Sequence, residues 1–186
     1  MSPDSTPKRR LVEHLREHAV RTDGPFTLRS GAVSDWYIDA RQTTFDGPGA
    51  IAAGEAVLDV LALDVTAVGG LTMGADPVAI ATAVAAAHGD RPLRAFSVRK
   101  ERKAHGTGGR LVGPVGAGDT VAVLEDTTTT GSAMFEAIDV LVDAGIAVAQ
   151  VVVLVDRSAG RASAKVAERG IDYVAIVTPS DLGVES

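Results

Sequence analysis

The chain has 186 residues, no cysteine, and 18 basic against 24 acidic side chains, giving a formal charge of −6. The length suits one domain with a substantial core, and 46% apolar with 23% charged residues excludes global disorder. Disulfide frameworks, thiol catalysis and Cys-ligated metals are excluded, and the acidic balance argues against nucleic acid as a partner. No apolar run approaches the ~18–20 residues of a membrane span. The start, MSPDSTPKRR, lacks the apolar stretch of a secretory signal, which predicts a cytoplasmic protein.

In chain order, residues 1–7 read as a disordered lead. A helix is predicted over 8–21, with Leu11, Val12, Leu15 and Ala19 on one face, ended by Gly24-Pro25. Short strands at 26–28 and 36–38 flank the turn Arg29-Ser30-Gly31. A helix at 49–63 precedes a strand at 65–69 ending in Gly69-Gly70. A helix at 76–88 follows, with Asp76 as N-cap and Pro77 in its first turn. The remaining elements are strand 93–98, a basic segment, strand 120–124, helix 132–144, strand 147–155, helix 159–169 and strand 172–177. Apolar β-branched runs alternating with helices indicate βαβ units and a parallel sheet covered on both faces. The predicted class is therefore α/β, as one domain: a helix and small N-terminal addition over about 8–45, then a core over about 46–186.

Two segments depart from the average charge. Residues 91–110 carry seven basic side chains (Arg91, Arg94, Arg99, Lys100, Arg102, Lys103, Arg110) against one acid, Glu101, and one histidine, His105. Such a concentration in an acidic protein points at an anion. Residues 125–132 place Glu125 and Asp126 at the end of a buried strand. Thr127, Thr128, Thr129, Thr130, Gly131 and Ser132 then lead into a helix that starts near Ala133. A helix N-terminus offers unpaired N–H groups and partial positive charge, the hydroxyls add donors, and the carboxylates can accept from a sugar diol. A ligand with a phosphate on one side and a ribose diol on the other satisfies the whole segment; a capped strand-to-helix loop is the alternative.

The second segment resembles the phosphoribosyl pyrophosphate (PRPP) motif of type I phosphoribosyltransferases. That resemblance implies a mostly parallel sheet flanked by helices with a small N-terminal hood. It also implies Glu125 and Asp126 at the ribose hydroxyls and Thr127 through Ala133 around the 5′-phosphate. Residues 99–106, Arg-Lys-Glu-Arg-Lys-Ala-His-Gly, resemble the R-K-x-x-K-x-H-G signature of the orotate phosphoribosyltransferase family. By resemblance Arg99, Lys100, Lys103 and His105 bind PRPP and act in catalysis, with Glu125 and Asp126, as pyrophosphate leaves. Arg157, in Asp156-Arg157-Ser158, and Thr129 are implied as orotate contacts, with a surface Asp–Arg pair as the plainer alternative. Arg29, Trp36 and Tyr37 are implied as the hood over the site, the two aromatics being otherwise core residues. Gly69 to Gly74 stands where the family places a pyrophosphate-binding loop; Met73 replaces a lysine found in some members, so main-chain N–H groups must do more of the binding.

The resemblance further implies orotate and PRPP as substrates and Mg²⁺ bound through PRPP and water, with no direct protein ligand. It implies a homodimer with shared active sites, in which Lys100 serves the partner subunit. Another phosphoribosyltransferase acting on a purine, or a PRPP-binding regulator on the same fold, are the competing readings. His14 and His18, four apart on a helix, permit metal binding, although a solvated polar face explains them without a third ligand.

Overall fold

The computed structural model describes residues 6–27, 33–101 and 109–184. The first helix, α1 (Pro7–His14), starts because the Thr6 hydroxyl accepts from the Arg9 N–H and Pro7 has no N–H to satisfy. One wider turn, Leu15–Ala19, carries the helix on and keeps Leu11, Leu15 and Ala19 in the core. The predicted helix stops two residues early: Val20–Arg21 is β1, paired antiparallel with β4 (Tyr37–Ile38). Between them β2 (Phe26–Thr27) pairs with β3 (Val33–Ser34). The side chain of His14 is mostly buried and does not sit on a solvated face. Its ring nitrogens lie 3.1 Å from Thr43 Oγ1 and 2.9 Å from Asp46 Oδ2, pinning this N-terminal unit to the corner after α2 (Arg41–Thr44).

The rest alternates helix and strand: α3 (Gly47–Leu58), β5 (Ala67–Leu71), α4 (Ala75–His88), β6 (Arg94–Val98), β7 (Leu111–Val112), β8 (Thr120–Thr128), α5 (Ser132–Asp143), β9 (Ala147–Asp156), α6 (Arg161–Ala167), β10 (Asp172–Val177) and α7 (Pro179–Leu182). Six strands form one sheet in the order β10-β9-β8-β5-β6-β7, parallel except for β7 against β6. Period-two alternation along β8 sends Ala122 and Leu124 to the side of α1, α3 and α4, and Val121 and Val123 to the side of α5 and α6. Each fully buried Leu or Val contributes roughly 1.5–3 kcal/mol of transfer free energy. The class is α/β with a mostly parallel sheet, as the sequence implies.

Three boundaries differ in ways that matter for the site. Gly69 and Gly70 do not end a strand; they lie inside β5, wholly buried between β6 and β8. Asp76 is not the N-cap of α4. The cap position is Gly74, and Asp76 Oδ2 accepts from the Thr72 hydroxyl at 2.6 Å. Most consequential, β8 does not stop at Leu124. It runs through Glu125, Asp126 and Thr127 to Thr128, with Glu125 beside Val153 and Thr128 beside Asp156.

Candidate active site

The chain order β5, β6, then β8 on the other side of β5 places the switch point of the sheet between β5 and β8. In open parallel sheets that is where a ligand crevice forms, beyond the carboxyl ends of the strands. A cavity of about 580 Å³ opens there. One wall is Thr72, Met73 and Gly74 after β5; another is Glu125, Asp126 and Thr127, with Ser132 and Ala133 at the start of α5. Tyr37, Asp39 and Arg41 close it from the N-terminal unit, and Lys100, expected by resemblance to serve the partner subunit, lines the cavity of its own chain from the end of β6. The β5 and β8 walls touch: a Cβ at Gly74 would stand 2.7 Å from Asp126 Oδ1, so any larger residue there would have to displace the Asp126 carboxyl.

Glu125 is 7% exposed, and its Oε2 has no hydrogen-bond partner. Burial first, and then the charge of Asp126, pushes its carboxyl up to about 9, so in the free protein it holds its proton at neutral pH. Asp126 is raised by burial as well, partly countered by the Thr127 N–H donating to its Oδ1 at 2.7 Å. Two carboxyls are thus held in a desolvated wall with acceptor capacity directed at a ligand.

Six residues on, α5 begins. Its cap position is Gly131, in the left-handed region at φ 80°, where a Cβ would also crowd Phe135 Cε2 at 2.9 Å. Gly131 has no side chain to cap the helix; a long bond of 3.4 Å from the Ser132 N–H to Thr130 Oγ1 is the local substitute. The N–H groups and dipole of a twelve-residue helix therefore face the cavity, an anion site on first principles.

The basic segment leaves and returns through the β6–β7 pair. At its root the Arg99 N–H donates to Arg110 O at 2.7 Å, and Arg110 Nε donates back to Arg99 O at 2.6 Å. Arg110 also forms an ion pair with Glu136 of α5, itself on the cavity wall. The segment is thus tied to the helix that starts at Ser132.

Arg157 follows β9, and its N–H donates to Thr128 O at 2.8 Å. It is half-buried, and desolvation lowers its pKa. Among the described residues no acidic side chain pairs with it; its guanidinium stacks on the Trp36 ring. The surface Asp–Arg pair is excluded, because Asp156 accepts from Tyr173 Oη at 2.8 Å and the Ser158 N–H at 2.6 Å.

Of the residues singled out from sequence, Tyr37, Lys100, Glu125, Asp126, Thr127, Ser132 and Ala133 line the cavity. Thr128 is buried at the end of β8, Thr129 and Thr130 are exposed beside it, and Arg99 sits at the root of the basic segment. Arg29, Lys103 and His105 lie outside the described residues. Sequence reasoning missed Asp39, Arg41 and Glu136. Asp39 directly follows the Trp36-Tyr37-Ile38 run and Arg41 stands two residues further, and Glu136 is one helical turn beyond Ser132 on the same face; those spacings were the available signals.

A curated orotate phosphoribosyltransferase of Streptomyces avermitilis is 44% identical over 176 residues, covering 94% of this chain and 96% of its own length. The chain belongs to the orotate phosphoribosyltransferase family. Solved structures agree. The Mycobacterium tuberculosis orotate phosphoribosyltransferase in complex with Fe(III) dicitrate superposes with a TM-score of 0.86 at 36% identity, covering 96% of this chain and 99% of that one. The same enzyme in complex with PRPP gives 0.81 at 32% identity, with the same coverage. No family model matches the chain. No described helix is long and apolar enough to cross a membrane, and among the described residues no three His, Asp or Glu side chains cluster as a metal site.

Proposed function

We infer that the protein transfers the 5-phosphoribosyl group of PRPP to N1 of orotate. The new C–N bond replaces the bond from the anomeric carbon to pyrophosphate and the N1 proton of orotate is released alongside pyrophosphate, giving orotidine 5′-monophosphate in pyrimidine nucleotide synthesis. The observation that carries the reading is a single cavity holding both a buried carboxyl pair and, six residues on, an uncapped helix N-terminus. The M. tuberculosis relative crystallised with PRPP supports the same ligand here.

In this reading the α5 N–H groups and the hydroxyls of Thr127 to Ser132 take the 5′-phosphate, and Glu125 and Asp126 take the ribose 2′- and 3′-hydroxyls. Lys100, with Arg99, Lys103 and His105 by resemblance, neutralises charge as pyrophosphate departs. Arg157 offers its guanidinium fork to the orotate carboxylate, with Thr129 beside it. Bond-breaking that runs ahead of bond-making leaves an oxocarbenium-like sugar, so positioning and electrostatics supply most of the rate. The oxygen-rich acid pair, with the orphaned Glu125 Oε2, suits an Mg²⁺ reached through water, which would leave the ion's direct ligands to PRPP and water as the resemblance implies. Mg²⁺ held there would supply positive charge to screen the pyrophosphate as it departs.

We place the protein in the cytoplasm, as a homodimer with sites shared between subunits. An exposed apolar face on α3 and α4, around a cleft of about 600 Å³, supports association with a second copy.

The test is product formation from PRPP with orotate, adenine, hypoxanthine and uracil side by side, with and without Mg²⁺. Turnover is expected with orotate and the metal; a purine preference would overturn the substrate assignment, and PRPP binding without any turnover would favour a regulator.

A further inference from the structure

The charges on the cavity wall do not match a polyphosphate in an obvious way. Among the described lining residues Asp39, Glu125, Asp126 and Glu136 are acidic, and the cations are Lys100 and Arg41. The loop after β5 brings Thr72, Met73 and Gly74, none of them charged, and Met73 is 58% exposed there. Arg41, in the first turn of α2, lines the same cavity as this uncharged loop. The two walls converge on Asp126: a Cβ at Gly74 would touch its carboxyl, and the charge of Arg41 acts on it.

Arg41 is committed only locally. Its Nε donates to Asp39 Oδ1 at 2.7 Å and its Nη2 to Asp39 Oδ2 at 3.1 Å, an ion pair two residues apart with the arginine side chain half exposed. Hydrogen bonds from Arg41 are the largest cause holding the Asp39 carboxyl below its ordinary range. Local, solvated pairs of this kind contribute little to stability. A fork that binds one carboxylate can bind a phosphate in the same bidentate way, and a polyphosphate brings more charge than Asp39 does. Asp39 loses little in the exchange, because it also accepts from the Arg41 N–H at 3.2 Å and from Gln42 Nε2 at 3.4 Å.

We propose that Arg41 is a ligand of the substrate's pyrophosphate group, leaving Asp39 when PRPP enters and facing Lys100 across the leaving group. It supplies the positive charge that the Thr72–Gly74 wall lacks. This assignment rests on the PRPP reading of the cavity.

Inorganic pyrophosphate, titrated calorimetrically in the presence of Mg²⁺, is the probe. Arg41→Gln is expected to weaken pyrophosphate binding and raise the KM for PRPP at least tenfold, with the KM for orotate within about twofold of wild type. Arg41→Lys restores part of the loss. Asp39→Asn, which frees the guanidinium but keeps an acceptor for the Arg41 N–H, leaves pyrophosphate binding unchanged or tighter. Unchanged pyrophosphate affinity in Arg41→Gln, with wild-type binding intact, would overturn the role of Arg41 alone. Equal losses in Arg41→Gln and Asp39→Asn would likewise overturn it, marking the pair as a brace. A wild-type protein that binds neither pyrophosphate nor PRPP would remove the reading on which it rests.

Discussion

The Arg157 guanidinium carbon lies 4.0 Å from the centre of the Trp36 ring. Trp36 is only 7% exposed, so the indole is a fixed platform from the N-terminal unit, and Arg157 is held over it at the end of β9. The contact joins two segments 121 positions apart in sequence. A desolvated arginine with no acidic partner among the described residues gains from a ring face while its N–H edge stays available to a carboxylate.

Trp36→Ala should therefore raise the KM for orotate by about tenfold while leaving the KM for PRPP within about twofold, in line with a cation–π contact of ~0.5–2 kcal/mol. Trp36→Phe keeps a ring face and should recover most of the affinity. Steady-state kinetics with each substrate varied separately checks this. A rise confined to PRPP would show that the ring serves the other half of the site.

The Glu125 carboxyl sets a dependence of stability on pH. In the unfolded chain a glutamate ionises near its ordinary value of about 4.3; in the folded protein Glu125 keeps its proton up to about 9. Between those values the native state binds more protons than the unfolded state, so unfolding free energy falls as pH rises through the interval. Glu125→Gln removes this titration. Thermal melts from pH 5 to 9 should show the wild type losing ground steadily to Glu125→Gln, with the two closest at pH 5. Parallel curves would mean that the folded carboxyl ionises in the ordinary range.

Much of this site was legible because its chemistry is contiguous: the acid pair, the hydroxyls and Gly131 occupy one stretch of chain, and a helix start is a local property. The extension of β8 was not, since Glu-Asp-Thr-Thr reads as polar loop until β9 is known to lie beside it and satisfy its backbone. The same holds for Gly69-Gly70, which read as a strand end but sit between two neighbouring strands that need their smallness. Arg41 and Glu136 carry no motif beyond their spacing from Ile38 and Ser132, and the fold brings them to the cavity. The stack of Trp36 on Arg157 depends on a tertiary contact that no local pattern reports.

Lys103 lies outside the described residues, and its role is carried by the Arg99–Gly106 pattern alone. Lys103→Ala should lower kcat on the order of 10²–10³-fold, the scale of losing a donor aimed at developing charge, with the fold intact by circular dichroism. Turnover within twofold of wild type would remove Lys103 from the reaction and leave Lys100 and Arg41 as the cations to test.

The apolar face gives the last prediction. Phe45, just before α3, and Ile51, Ile80 and Val84 on the packed pair α3 and α4 are each more than half exposed, and all four line one cleft with Leu58 and Pro77. Scattered exposed apolar residues are ordinary, but a contiguous group on two adjacent helices keeps water against apolar surface unless something covers it. A two-fold dimer meets this by placing the same patch of each copy against the other, so a single substitution acts twice. Ile80→Glu puts one charge from each copy into that contact. Sedimentation should show the wild type as a dimer at micromolar concentration and Ile80→Glu as a monomer. Because Ile80 is exposed in the single chain, its melting temperature should change little apart from the loss of concentration dependence. If the sites are shared, specific activity of the wild type should also fall on dilution. A dimer that survives Ile80→Glu, or a wild type that is monomeric, would assign this face to another role.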